Sequence, residues 1–220
     1  DETLSNRPRN WKPLVYCWRG GQRSDAFTTV LQHIGWRANR LAGGYKTYRR
    51  TVIDDLAVLP AQFNWRVVCG MTGAGKSRLL RALASAGAQV LDLEALAAHR
   101  GSVLGNLPHA PQPSQKMFES LVWHALHHFD AKRPVFVESE SKKIGNLRTP
   151  EALIDAMWAA RCIHLETPTA LRVKMLMQEY DHFVRDPAAL GNQLDCLVSL
   201  HGHERINQWK AMSVAGDDST

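Results

Sequence analysis

Apolar and polar positions along the chain fall into short apolar runs separated by amphipathic stretches, the pattern of strands alternating with helices. Leu14-Val15-Tyr16 reads as a short buried strand. Ser24 stands as the N-cap of a helix carrying Phe27, Val30, Leu31 and Ile34 at helical spacing, with Gly35 just past its end. "RANRLAGGYKTYRR" continues as a short strand, a Gly43–Gly44 turn and a new helix. The pattern restarts at Trp65. "WRVVC" is a strand, "GMTGAGKS" a loop, "RLLRALASAG" an amphipathic helix stopped by Gly87, and "QVLDLE" another strand. Residues 101–115 are rich in Gly, Pro and Ser without periodicity and predict a long loop. A helix follows over 115–129, then strands at "PVFVESE" and "RCIHLETP", and helices at "TALRVKMLMQEY" and within 185–212. This alternation predicts an α/β fold whose parallel sheet is covered by helices on both faces. There is no internal repeat.

The restart divides the chain into a first unit over 1–57, a linker over 58–64 around Pro60, and a second unit over 65–220. No apolar stretch approaches the length of a membrane span, and the polar start "DETLSNRPRN" does not read as a signal peptide. The four cysteines (Cys17, Cys69, Cys162, Cys196) form no CxxC pair or Cys/His ladder. They predict neither a disulfide framework nor a structural zinc site, and a reducing cytoplasm is the expected location. Cys69, Cys162 and Cys196 lie in or beside apolar segments and are expected in the core. The net charge of +6 points toward a polyanionic partner.

Gly70 to Ser77, "GMTGAGKS", fits the phosphate-loop pattern G-x-x-x-x-G-K-[ST] in full, after a strand and before a helix. The glycines let backbone N–H groups turn inward around phosphate oxygens, and the helix N-terminus adds its dipole. Gly70, Thr72, Gly73, Ala74, Gly75, Lys76 and Ser77 are therefore expected to bind phosphate. Lys76 would neutralise the outer phosphates, and the Ser77 hydroxyl would ligate Mg²⁺. Glu138, at the end of the apolar strand "VFV", is the acidic partner on the Mg²⁺ side or the group that orients water; Glu140 is the reserve.

A second candidate is Cys17, in "LVYCWRGGQRS". Its thiolate would be favoured by Arg19 and Arg23, by the start of the helix near Ser24, and by an anion-binding nest of amides in "WRGGQR". Such a loop suits a persulfide or a chalcogen anion in transfer. The cluster His124, His127 and His128 has helical spacing but lacks an acidic partner and is not expected to hold metal. Arg49, Arg50, Lys142, Lys143 and Arg148 are nucleic-acid backbone candidates. Trp36, Tyr45 and Tyr48 are aromatic residues among basic ones that either stack on an unpaired base or pack in a core.

Cys17 to Arg23 resembles the active-site loop of rhodanese domains, and "LAGGYKTYRR" is similar to the closing strand and helix of that fold. A rhodanese-like half joined to a P-loop NTPase-like unit resembles the bacterial tRNA 2-selenouridine synthases. "DLEALAAHRGSVLG", "QPSQKMFE" and "VESESKKIG" are similar to further stretches of that family. The resemblance implies a transferase that geranylates wobble 2-thiouridine in a tRNA anticodon stem-loop from geranyl diphosphate. It then replaces the S-geranyl sulfur with selenium from selenophosphate. The diphosphate would occupy the cradle at Gly70–Ser77 with Mg²⁺, and Cys17 would handle selenium; use of ATP stays open. It also places His99, Arg100 and Gln115 in the substrate pocket, although a surface loop would carry the same residues. Arg172 and Lys174 resemble the lid helix of small-molecule kinases. The sixteen residues before Cys17 are fewer than a rhodanese domain's earlier strands need, so the chain is expected to be a piece of a longer protein. Two alternatives stand beside this reading: a P-loop ATPase or small-molecule kinase with a degenerate rhodanese appendage, and a non-catalytic tRNA-binding module.

Overall fold

The computed structural model describes residues 4, 6–19, 21–102, 105–107, 110–181, 183 and 187–215. Two compact units emerge, residues 1–55 and residues 56–220. The first holds β1 (Leu14–Val15) paired in parallel with β2 (Asn39–Arg40), with α1 (Gln22–His33) between them in sequence. Helix α2 runs from Gly44 to Val58, and a 3₁₀ turn covers Leu59–Gln62, so the stretch expected as a linker carries helical backbone.

Helix α1 starts earlier than expected. Gly21 adopts a left-handed conformation and caps it, which places Ser24 inside the first turn rather than at the N-cap. The buried stripe is Ser24, Thr28 and Leu31, while Phe27, Val30 and Ile34 are exposed. Hydrophobic spacing identified the helix but not its inner face, because a sheet of only two short strands offers little surface to pack against.

The second unit is built on a four-stranded, all-parallel sheet in the order β4-β5-β3-β8, with β3 Asn64–Cys69, β4 Gln89–Leu91, β5 Pro134–Glu138 and β8 Arg161–His164. Helices α3 (Lys76–Ser85), α4 (Leu93–Ala97), α5 (Gln115–His127) and α6 (Glu151–Trp158) fall in the crossovers. α7 (Thr169–Glu179), α8 (Pro187–Leu194), α9 (Val198–His201) and α10 (His203–Ala215) follow β8. In the central strands, Trp65, Val67 and Val68 of β3 and Val135 and Val137 of β5 are buried. They pair in register, Val67 opposite Val137 and Val68 opposite Glu138. Leu80, Leu91, Leu93, Phe118, Val122, Leu126, Leu153 and Ile154 complete the core. Because the strands are parallel, the ends of β3, β4 and β5 open on one edge of the sheet, where α/β folds bind ligands.

The strand expected at "QVLDLE" ends at Leu91, because Asp92 turns the chain into α4: its Oδ1 accepts the Ala95 N–H at 2.9 Å. A small antiparallel hairpin, β6 (Lys143–Ile144) with β7 (Leu147–Arg148), was not expected; its inward residues Ile144 and Leu147 are buried. The cysteine expectations also need correction. Cys69 and Cys162 are joined by a disulfide between the neighbouring strands β3 and β8, and Cys162 and Cys196 are exposed rather than in the core. Sequence spacing could not reveal the pair, since only the strand order brings the two together. Among the described residues, no helix is long and apolar enough to cross a membrane.

Candidate functional site

The glycine-rich loop lies between β3 and α3, as its pattern requires. Gly70, Gly73 and Gly75 all have positive φ, and left-handed Gly75 caps α3. At Gly73 the requirement is also steric: a Cβ there would lie 2.7 Å from Leu176 Cγ on α7, which backs the loop. Lys76 Nζ donates to the carbonyls of Gly70 (3.1 Å) and Met71 (3.5 Å), so the ammonium lies across the loop. Gly70, Thr72, Gly73, Gly75, Lys76 and Ser77 line a cavity of about 500 Å³. Ala74 does not line it. Its side chain is buried, its N–H is bonded to Met71 O, and its carbonyl accepts from Thr167 Oγ1 at 2.9 Å.

Facing the loop are three carboxylates. The Ser77 hydroxyl is 3.1 Å from Glu94 Oε2 and 3.5 Å from Glu138 Oε2. Oxygens of Glu94, Glu138 and Glu140 all lie within 4.8 Å of one another, the one cluster of metal-ligand side chains among the described residues. Glu138 is wholly buried, and its Oε1 has no hydrogen-bond partner among the described residues. Burial, then the charges of Glu94, Glu140 and Asp92, push its carboxyl up to about 9 against the pull of Lys76. Burial and Glu94 raise Glu140 to about 7. Glu94 is also raised, mainly by burial, with the Ser77 hydrogen bond opposing. Groups this close cannot all ionise without a compensating cation. Glu94 is the residue that sequence reasoning missed. The signal was present: it stands just beyond β4, as Glu138 stands at the end of β5.

The weaker candidates separate. His99 and Arg100 line the cavity. His99 is buried, its Nδ1 accepts the Gly101 N–H at 3.1 Å, and burial lowers its pKa. Gln115 does not reach the cavity. Its amide pairs with the backbone of Arg148, Nε2 donating to the carbonyl and Oε1 accepting the N–H, both at 2.8 Å. Gln112 does similar work, donating to Ala97 O and Ile144 O and accepting from Asn146 N–H. The "QPSQ" glutamines therefore hold the β6–β7 hairpin. Lys142 packs over the Trp158 ring at 5.1 Å, and both it and Lys143 are exposed and outside the cavity. Arg172 grips the outer side of the loop, its Nε donating to Thr72 O at 3.2 Å. Arg49 is half-buried, and Arg50 and Arg148 are exposed.

In the first unit, Cys17 Sγ donates to Arg19 O at 3.2 Å and lies 3.3 Å from Ser24 Oγ. Its pKa is lowered by the Ser24 hydroxyl first, then by the amides of Ser24, Gly21 and Arg19, with slight burial opposing. The guanidinium groups expected to activate it are absent from these causes, and Arg19 and Arg23 are exposed. Of the amide nest, Gly20 lies outside the described residues. Trp18 stacks on Tyr45, with ring centroids 4.4 Å apart, and Tyr45 meets Tyr48 at 5.9 Å; Trp36 packs edge-on against Trp11.

The family model of the tRNA 2-selenouridine synthase AAA domain matches residues 63–194. A tRNA 2-selenouridine synthase of Aeromonas salmonicida (strain A449) is 39% identical over 171 residues, 77% of this chain and 45% of that protein. One from Hydrogenovibrio crunogenus (strain DSM 25203 / XCL-2) is 39% identical over 175 residues, 76% of this chain and 47% of the relative. One from Shewanella halifaxensis (strain HAW-EB4) is 34% identical over 218 residues, 98% of this chain and 57% of the relative. The chain thus spans about half the length of the curated relatives it matches. No solved structure matches it. A complete phosphate loop facing carboxylates at the strand ends, within a segment that the family model covers, leads to one conclusion: the chain belongs to the tRNA 2-selenouridine synthase family.

Proposed function

We propose that this chain is the part of a cytoplasmic tRNA 2-selenouridine synthase that carries both transfer steps on wobble 2-thiouridine. The observation that carries the reading is the convergence of Lys76, Ser77, Glu94 and Glu138 on one cavity at the end of the parallel sheet. In the first step, the sulfur of 2-thiouridine attacks the donor's first carbon. The carbon–oxygen bond to the diphosphate breaks, pyrophosphate leaves, and the base loses its N3 proton. The loop amides and Lys76 hold the diphosphate and take up the charge that grows on it. In the second step, the selenium of selenophosphate attacks C2 of the S-geranylated base, the C2–S bond breaks and geranylthiol leaves. Water then cleaves the selenium–phosphorus bond to release phosphate. Cys17 and its rhodanese-like loop would hold the selenium donor beside the base.

The residues fit a magnesium ion. Three oxygen-donor side chains and a serine hydroxyl meet beside the cradle, and a sealed carboxylate oxygen of Glu138 has no partner among the described residues. When bound, Mg²⁺ supplies positive charge to the departing pyrophosphate. Ser77, Glu94 and Glu138 would hold it, with Glu140 in reserve. Lys76→Ala is expected to abolish geranylation of a 2-thiouridine anticodon stem-loop. Cys17→Ala is expected to keep geranylation and lose selenation. Full geranylation by the Lys76 variant would refute the assignment of the cradle.

A specific observation favours a second reading, a P-loop kinase or ATPase. Beyond its glycines the cavity is lined mainly by polar side chains, with Ala95 and Leu107 the aliphatic exceptions. A prenyl chain gains little from such walls. Thermal shift with geranyl diphosphate or ATP, each with and without tRNA, separates the two. Stabilisation by geranyl diphosphate and not by ATP supports the transferase.

A further inference from the structure

The disulfide between Cys69 and Cys162 lies at the base of the phosphate loop, for Gly70 follows Cys69 directly. Register explains the meeting. Cys162 pairs with Val67, and Cys69 stands two residues further along β3, so both sulfurs project from the same face of the sheet. Their Cα atoms are 6.1 Å apart, within the span that a disulfide bridges. Cys69 is half-buried and Cys162 exposed, so the bond opens to solvent at the Cys162 end.

β8 and the chain that follows it form the backing of the loop. Leu165 N–H donates to Cys69 O at 2.8 Å, and Thr167 Oγ1 donates to Ala74 O at 2.9 Å. Farther on, Arg172 Nε donates to Thr72 O, and Leu176 packs against Gly73. Apolar burial does little to anchor this backing. β8 is an edge strand whose four residues are all exposed, and α7 has no buried residue. Elements with so little buried apolar surface open locally at low free energy. The covalent link is what ties them to the central strand β3, across a sequence separation of 93 residues.

A disulfide in the proposed cytoplasmic location meets small thiols that reduce it, and such pairs serve catalysis or redox sensing. Neither cysteine lines the cavity, which leaves sensing. We propose that Cys69 and Cys162 are a thiol–disulfide modification site through which small thiols, the glutathione couple among them, set the phosphate affinity of the Gly70–Ser77 loop. The disulfide holds the loop in its binding form. This rests on the reading of the loop as the phosphate cradle. In the reducing direction a small thiolate attacks Cys162 Sγ, the sulfur–sulfur bond breaks, and Cys69 leaves as a thiolate and takes a proton. A second small thiolate attacks the small-molecule sulfur of the mixed disulfide, and Cys162 leaves and takes a proton. The protein pair gains two electrons and two protons, and the two small thiols become one disulfide. Oxidised small disulfide drives the same steps in reverse.

The test compares wild-type protein equilibrated with oxidised glutathione and with dithiothreitol. Peptide mass spectrometry after iodoacetamide is expected to find Cys69 and Cys162 linked in the first state and alkylated in the second. The oxidised state is expected to bind magnesium pyrophosphate about three- to tenfold more tightly and to melt about 5–10 °C higher. Cys162→Ser, given the same two treatments, is expected to match the reduced wild type in both, which excludes an effect through Cys17 or Cys196. Should that variant fold poorly, Cys162→Val suits the edge strand and serves in its place. Three results each overturn the switch: Cys69 alkylated after oxidised glutathione, wild-type affinities in the two states within about 1.5-fold of each other, or a variant that keeps the difference. Lys76→Ala reports separately on the cradle. It is expected to lose pyrophosphate in both states and to keep the Tm difference; pyrophosphate binding retained there refutes the cradle, while the wild-type comparison still decides the switch.

Discussion

Ser77, which closes the phosphate loop, directs its hydroxyl at Glu94 Oε2 across 3.1 Å, a shorter approach than the 3.5 Å to Glu138. The carboxylate nearest the loop's hydroxyl is thus supplied by α4 rather than by β5. Glu94→Gln preserves the shape and a hydrogen-bonding oxygen but removes a charge. It is expected to weaken Mg²⁺-dependent binding of pyrophosphate by about ten- to a hundredfold and to leave metal-free binding unchanged or tighter. Calorimetric titration with and without Mg²⁺ checks this. Equal affinities for the variant and the wild-type protein in Mg²⁺ would remove Glu94 from the site.

The raised carboxyls make stability depend on pH in a defined direction. An acid held above its unfolded value of 4.5 contributes stability that is fully present below that pH. It is lost as pH rises through the folded values, about 7 for Glu140 and about 9 for Glu138. The wild-type protein without divalent metal is therefore expected to melt progressively earlier between pH 5 and pH 9. Glu138→Gln is expected to match it at pH 5 and to be more stable by about 2 kcal/mol at pH 8.5, about 4–8 °C in Tm. Added Mg²⁺ is expected to raise the wild-type Tm at pH 8.5 and have little effect at pH 5. A constant gap between variant and wild type across this range would show that the trio is not charged against itself.

How far the site could be read beforehand depended on whether its residues sit in one segment. The loop from Gly70 to Ser77 was legible because backbone geometry, lysine and hydroxyl all lie in eight consecutive positions. Glu138 was legible as the polar end of an apolar strand. Glu94 joins them only because β4 lies beyond β5 in the sheet, an order that hydrophobic periodicity does not encode. The disulfide between Cys69 and Cys162 was hidden for the same reason: β8 crosses to the far side of β3. The inner face of α1 was misjudged because burial there follows the small stripe Ser24, Thr28 and Leu31 instead of the large residues.

Gln112 and Gln115 carry opposite consequences under the two readings of "QPSQ". As substrate contacts, their loss would raise KM; as clamps, it would loosen the hairpin. Each side-chain amide satisfies both a carbonyl and an N–H of the β6–β7 segment. Gln115→Ala is therefore expected to cost about 1–3 kcal/mol in denaturant unfolding and to change KM by less than about twofold. A variant of unchanged stability and sharply raised KM would return Gln115 to the pocket.

Gly101 tests how tightly the loop after α4 closes over the trio. Its φ is +67°, and a Cβ there would lie 2.7 Å from Glu140 Oε1 and 2.8 Å from Glu94 Oε1. Alanine at this position meets both backbone strain and two carboxylate oxygens. Gly101→Ala is expected to cost about 1–3 kcal/mol and to weaken Mg²⁺-dependent pyrophosphate binding as the carboxylates are pushed apart. Unchanged metal dependence would mean that the loop yields without disturbing them.

Ser24, not arginine, governs the thiol of Cys17. Its single hydroxyl hydrogen serves Cys17 Sγ at 3.3 Å or Gly21 O at 2.8 Å, and a thiolate competes for it far better than a thiol. Ser24→Ala removes the hydrogen bond that does most to lower the thiol's pKa. Alkylation of Cys17 by iodoacetamide, followed against pH, is expected to shift to higher pH in this variant and to slow about two- to tenfold at pH 7. Arg19→Ala and Arg23→Ala are expected to move the profile far less, since the leading causes of the lowering are hydrogen bonds and neither guanidinium is among them. A larger shift from either arginine than from the serine would restore the cationic account of the loop. It would also mean that the exposed guanidinium groups approach the sulfur in solution.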